Sequence, residues 1–246
     1  MTNIYLDIET IPGQQSWLAD EIRASLSAPS NYKDPDKIQA YIDEAFEAAL
    51  DKTVFDGAYA HIVCISVAID DAEPISFYSE TPQTEKEMLA EFMSFINQPM
   101  HKSGFTDNKR IIGHNVQGFD IPMLRKRCTI LGVPVSSFIP LESKPWDGNP
   151  YDTMMKWDSR NFCSLDKLLK AFGLGEKGDT NGSMVYQMWK NGKHEEIKKY
   201  CEEDVIKVRK LYKKMTFEDL ENYTASAVSS VGAADQPQKA KRLNLN

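Results

Sequence analysis

The sequence is poor in cysteine: four residues in 246, Cys64, Cys128, Cys163 and Cys201, stand far apart with no C-x-x-C pair. That spacing excludes a zinc knuckle and offers no disulfide framework, so the four read as reduced thiols of a cytoplasmic protein. No apolar run approaches 18 residues, which excludes a hydropathic membrane span, so no membrane partner is expected. The opening Met1-Thr2-Asn3-Ile4-Tyr5-Leu6-Asp7 has no basic cluster and places an acid where a secretory signal would be apolar. Positive charge is not in excess either: 29 Lys+Arg face 36 Asp+Glu, for a net charge of −7. This argues against a protein that attracts polyanions with its whole surface, but leaves room for a local phosphate-binding cleft. What is present, 41% hydrophobic and 26% charged residues, is the composition of a soluble globular protein, long enough for one large domain or two small ones.

Hydrophobic periodicity orders the chain. Asn3 to Ile8 reads as a buried strand ending in polar residues, closed by Pro12-Gly13. Residues 14 to 58 look like a helical insertion, because Ile38, Tyr41, Ile42, Ala45, Phe46 and Ala49 recur at helical spacing. Ala60 to Ile69 is β-branched and long enough for a central strand, and Ile75 to Tyr78 alternates as its partner. Together these predict a three-strand antiparallel meander. The period then changes. Met88, Leu89, Phe92, Phe95 and Ile96 mark a helix, and Arg110 to His114 a short strand. A further helix runs from Pro122 to Leu131-Gly132, another starts at Ser164 and stops at Gly173, and a long last one spans roughly 195 to 214. Strands first, then strands alternating with helices, predict an α/β domain built on one mixed sheet over residues 1 to 220. Residues 221 to 246 lack periodicity and read as a flexible tail.

Three groups of acids could carry chemistry. Asp7 and Glu9 are two apart on a strand and so share a face, where they could hold a metal between them. D-x-E recurs at Asp71 and at Asp219, so the tripeptide is weak by itself. Position sets the first apart, since two carboxylates at the end of an apolar strand are costly to bury without a cation. Asp120 stands at a strand-to-helix junction, Gly113-His114-Asn115-Val116-Gln117-Gly118-Phe119-Asp120, with Gly118 available for a tight bend. It reads either as the N-cap of the following helix or as a functional acid. On the last helix, Ile197, Cys201, Val205, Val208 and Tyr212 form the buried stripe, and Tyr200 and Asp204 lie i, i+4 along its edge. Glu202 and Glu203 are competing acids there, less close to the stripe.

The chain order of these elements resembles the DEDD superfamily of 3′–5′ exonucleases: D-x-E on an early strand, Asp at a mid-chain junction, Y-x-x-x-D on a late helix. Tyr200 places the resemblance in the DEDDy branch, closest to stand-alone predicted exonucleases related to the family B DNA polymerase proofreading domain. Tyr151-Asp152-Thr153-Met154 and Ser164 to Leu174 are similar to further segments of such enzymes. The resemblance spans about residues 3 to 215 and implies an RNase H-like α/β fold, with a mixed sheet flanked by helices. It also implies two divalent ions, Mg²⁺ or Mn²⁺, and a two-metal hydrolysis of single-stranded DNA from the 3′ end to nucleoside monophosphates. By family role, Asp7 would bridge both ions, Glu9 and Asp204 would hold the one on the nucleophile side, and Asp120 would anchor the other. Tyr200, whose ordinary pKa of about 10 makes it a poor base at neutral pH, would orient the attacking water.

Four further residues are expected to meet substrate on the same resemblance: Thr10 and Ile11 near the terminal sugar, Asn115 and Phe119 near the terminal nucleotides. Phe119 could equally be a core residue. His114 reads as structural. Lys109, Arg110, Arg125, Lys126, Arg127, Lys198 and Lys199 are candidates to line a phosphate path. The expected partner is single-stranded nucleic acid, DNA before RNA, with a separate DNA polymerase or repair complex as a further candidate. The competing readings are an exoribonuclease of the same fold and an inert module that binds nucleic acid or a polymerase.

Overall fold

A computed structural model describes residues 1–100, 108–144, 146–175 and 182–218, with the side chain of residue 183 left aside. The tail expected at 221–246 lies outside the described residues. The first strand, β1 (Thr2–Ile11), pairs antiparallel with β2 (His61–Ile69), which pairs antiparallel with β3 (Ile75–Tyr78). This is the meander that the hydrophobic pattern predicts. On its other side β1 runs parallel to β4 (Lys109–Gly113), and β4 runs parallel to the two-residue β5 (Tyr151–Asp152). The sheet order is therefore β3-β2-β1-β4-β5. A two-residue strand carries no periodicity, so β5 had no signal in the sequence.

Alternation along β1 separates two cores. Ile4, Leu6 and Ile8 face α3 (Glu85–Asn97) and α4 (Asp120–Leu131), together with Leu89, Phe92 and Leu124. Tyr5 faces the other side, against α6 (Leu165–Ala171) and α8 (His194–Met215). Ile11 packs with Val185 of α7 (Gly182–Lys190) and with Ile197 and Cys201 of α8. Helices thus cover both faces of a mixed sheet. Helix ends follow local chemistry: Ser164 Oγ accepts from Lys167 N at 3.4 Å to start α6, and Gly132, at φ +67°, ends α4 in the left-handed region. Among the described residues no helix is long and apolar enough to cross a membrane.

Between β1 and β2 lie α1 (Leu18–Ser25) and α2 (Pro35–Lys52), then a 3-10 turn at Thr53–Phe55. Asp34 caps α2 and Pro35 opens it. Only Phe46 of α2 is fully buried, under the Arg23 guanidinium at 3.9 Å. The arm is held at its root: Gly13 N donates to Thr53 Oγ1 at 2.9 Å, and Thr10 Oγ1 donates to Val54 O at 3.2 Å.

Three of the cations expected along a phosphate path are fixed elsewhere. Lys109 is buried and donates to the carbonyls of Ile96 and Gln98. Arg127 is 2% exposed and locked on Glu85 at 2.6 and 2.8 Å. Arg110 donates to Tyr212 Oη at 2.9 Å. Their charge is used in packing, which a charge count along the sequence does not distinguish from a surface role.

Candidate active site

The site forms where β1 outlasts its parallel neighbour. Pairing with β4 ends at Tyr5–Ile112, so from Leu6 onward that edge of β1 is open. The chain leaving β4 crosses this gap and enters α4 there. β1 lies between an antiparallel and a parallel neighbour, and clefts form at such switch points. Asp7 and Glu9 project from the open end, α4 brings Asp120, and α8 brings Tyr200 and Asp204. One cavity of about 200 Å³ is lined by Asp7, Glu9, His114, Asn115, Phe119, Asp120, Tyr200 and Asp204. The structure therefore brings all five signature residues together, with Asn115 and Phe119 beside them.

Thr10 and Ile11 lie elsewhere. Thr10 lines the neighbouring cavity, and the Ile11 side chain is 0% exposed in the core under α7 and α8. The cap reading at the junction is corrected: Asp120 is the first residue of α4, not its cap, and the capping position falls on Phe119, which makes no side-chain cap bond. The chain bends tightly at Gly118, whose N donates to Asn115 O at 3.0 Å, with Asn115 in the left-handed region at φ 62°. Gly118 is required there: a Cβ would lie 2.4 Å from Asn115 Oδ1.

The junction is shaped by Asp152, fully buried, whose carboxylate accepts from Asn115 N and Gln117 N, both at 2.9 Å, and from Met154 N at 3.0 Å. It caps α5 (Thr153–Trp157) and pins the turn that presents Asn115 and Asp120. Thr153 adds a second tie, with its Oγ1 3.1 Å from Gly113 O and 2.9 Å from His114 Nδ1. Met155 N donates to Asp152 as well, at 3.3 Å. The sequence places Asp152 in a segment similar to one in the exonucleases but gives no sign of this role, because the four N–H groups it serves meet only in the fold.

Electrostatically the cavity is under strain from its own charge. Burial, then the nearby Asp7 carboxylate, pushes the Asp120 carboxyl well above the usual carboxylate range. Burial, then Glu9, Asp204 and Asp7, pushes the Tyr200 hydroxyl far above its ordinary value, with a hydrogen bond to Asp204 adding to the shift. Lys207 offsets part of the charge, with Nζ 3.1 Å from Asp204 Oδ1. Four carboxylates with little exposure and this mutual repulsion fit hard divalent cations, which take oxygen donors.

Cys201 belongs to the buried stripe of α8, yet its Sγ is 3.6 Å from Asp7 Oδ2 and 3.4 Å from Asp7 O. The donor atoms of Asp7, Glu9 and Cys201 all lie within 4.8 Å of one another. Burial, then the Cys64 thiol and Asp7, pushes the Cys201 thiol well up, so it stays protonated and donates to Asp7. Its one sequence signal was adjacency to Tyr200.

Comparison with known proteins adds the family. A model of predicted 3′–5′ exonucleases related to the exonuclease domain of PolB matches residues 54–227. The chain belongs to this family. The match starts after Asp7 and Glu9, so those two acids join this exonuclease family's segment only through the fold. Exonuclease domains of this kind use divalent metals. Among solved structures, a family B DNA polymerase from the hyperthermophilic archaeon Pyrobaculum calidifontis is similar, with TM-score 0.56 and 19% identity. The match covers 88% of this chain and 24% of the polymerase, and at that identity it shows the α/β fold expected from the motifs. No curated protein sequence matches the chain.

Proposed function

We propose that the protein is a divalent-metal-dependent exonuclease that shortens single-stranded DNA from the 3′ end to nucleoside monophosphates. The observation that carries this is convergence. Four carboxylates and a tyrosine from a strand, a junction and a distant helix line one cavity of about 200 Å³, and no local sequence feature requires them to meet. Membership in a family of predicted 3′–5′ exonucleases supports the direction of attack.

Asp7, Glu9, Asp120 and Asp204 are the residues that would hold two ions, Mg²⁺ or Mn²⁺. When bound, such ions lower the pKa of the attacking water and balance charge on the phosphate and leaving oxygens. The Cys201 thiol, 3.6 Å from Asp7 Oδ2, steadies the Asp7 carboxylate. Burial, and then the carboxylates of Glu9, Asp204 and Asp7, raise the Tyr200 hydroxyl far above its ordinary value, which favours a donor that orients the water over a base. Asn115, held in its left-handed turn by Asp152, offers its amide at the cavity wall to the terminal nucleotide.

The test is a 5′-labelled single-stranded oligonucleotide incubated with Mg²⁺ or Mn²⁺, comparing wild type with Asp7→Ala. A ladder shortening from the 3′ end, absent in the variant and under EDTA, is expected. Equal degradation by the variant would reject the assignment.

A further inference from the structure

β1, β4 and β5 are parallel, so their C-terminal ends lie along one edge of the sheet, the edge that holds the carboxylate cavity. α5 leaves β5 at that edge. Its first residue, Thr153, has Oγ1 2.9 Å from His114 Nδ1, and His114 lines the cavity. The far end of α5 and the loop after it carry two large aromatic side chains in the open: Trp157 is 50% exposed and Phe162 is 62% exposed. Packing does not ask for them there, since Cys163 and Leu165 already anchor this stretch in the core under α8. Both are nevertheless held in place. Trp157 stands edge-on to Phe172, with centroids 5.5 Å apart, and the Asp158 carboxylate fixes the loop by accepting from Arg160 N at 2.8 Å and Asn161 N at 3.0 Å.

Charge decides what this surface meets. From Lys156 to Lys170 the chain carries four cations, Lys156, Arg160, Lys167 and Lys170, against two acids, Asp158 and Asp166, in a protein whose net charge is −7. Asp166 is paired with Lys170 at 3.1 Å and Asp158 is engaged by its own loop. Lys156, Arg160 and Lys167 form no ion pair among the described residues, so a locally positive strip with exposed rings stands beside the cavity. Cations interleaved with exposed aromatics are what a single strand needs, because its phosphates take the charge and its bases stack on the rings. We infer that Trp157, Arg160 and Phe162 form a track for the single strand upstream of its 3′ end, which leaves the cavity past His114 and crosses α5. This deepens the exonuclease reading and rests on it. Stacking on ring faces is indifferent to base identity, so the track adds affinity without sequence preference. It also measures length: a strand shorter than about four nucleotides fills the cavity without reaching the rings, and trimming slows as the substrate shrinks to that size.

The test uses the full chain and 5′-labelled single strands graded from about 3 to about 16 nucleotides. With wild type, KM should fall as the strand lengthens and then level off. Phe162→Ala and Trp157→Ala should each raise KM for the long strands about tenfold, in line with the loss of one aromatic stack, with kcat little changed. The shortest strands should show no such rise, and Phe162→Trp should restore the long-strand value. Arg160→Ala should lower the slope of log KM against log salt by about 0.7, as one lost phosphate contact on a single strand requires. Because Phe162 is largely exposed, its removal leaves the fold intact, checked by an unchanged Tm. A long strand carrying fluorescein should give the same ranking of the variants by anisotropy in Ca²⁺. Equal KM for wild type and all three substitutions at every length would overturn the track while leaving the exonuclease standing. A KM raised equally at every length would place the effect in the cavity and would also overturn it. If wild type neither binds nor trims any strand, the exonuclease reading falls and the track falls with it.

Discussion

Tyr200 illustrates how burial fixes a role. Burial, then Glu9, Asp204 and Asp7, disfavour ionisation of its hydroxyl, so what it contributes is a hydrogen-bond donor. Tyr200→Phe should slow turnover on the order of a hundredfold, the typical cost of deleting one aligned donor in an active site. The rise in Tm caused by divalent ions should persist. Unchanged turnover would remove Tyr200 from the chemistry. Asp120 shows the opposite side of the same field. Its ionised form is disfavoured by burial and by Asp7, so the metal-free protein is strained there. Asp120→Asn should raise the metal-free Tm by about 2–4 °C, roughly one kcal/mol in a chain of this size. It should also blunt the gain on adding Mn²⁺. A metal-free Tm that falls would show that the carboxylate is satisfied in some other way.

Two elements hold the site without touching it. The first is the Asp152 clamp across the β4–α4 junction. Asp152→Ala leaves several buried N–H groups without an acceptor, at a cost of roughly 2–3 kcal/mol. Melting should show that loss, and turnover measured well below the melting range should also fall, because the turn carrying Asn115 and Asp120 is released. The second is the buried set of Glu85 on α3, Arg127 on α4 and His61 on β2. Burial alone would raise the Glu85 carboxyl, but hydrogen bonds from His61 and Arg127 outweigh it and hold the group below its ordinary value of 4.5. A depressed carboxylate stabilises the fold above the unfolded pKa, and that contribution disappears as pH falls through the folded one. Glu85→Gln should therefore cost about 3–5 kcal/mol at pH 7, since Arg127 is left buried without its counter-charge. The gap from wild type should narrow in denaturant titrations below pH 4.5. A constant gap across pH would contradict the linkage. Periodicity made the helices α3, α4, α6 and α8 readable, because each buries one stripe. It could not show that Arg127 and Lys109 point inward, since a lone cation on a helix or strand looks the same in sequence whichever way it turns.

For the molecule as a whole, the carboxylate set predicts a linkage between cations and stability. Mg²⁺ or Mn²⁺ should raise Tm in a concentration-dependent way, because ions bind the folded cavity and not the open chain. Asp7→Ala should abolish most of that rise; a rise of equal size in the variant would place the ions elsewhere. The arm between β1 and β2 adds a mostly apolar wall beside the carboxylate cavity. Local sequence alone determined the order of strands and helices, the two faces of β1 and the identity of the acids, because side-chain periods and capping chemistry act over a few residues. It also ordered the three motifs along the chain. Tertiary structure decided that they meet. Asp7 and Tyr200 stand almost two hundred residues apart, and only the early end of β4, the turn pinned by Asp152 and the packing of α8 across β1 bring them into one cavity. The same holds for Cys201: its contact with Asp7 is set by long-range packing, to which no pattern of neighbours in the chain is sensitive.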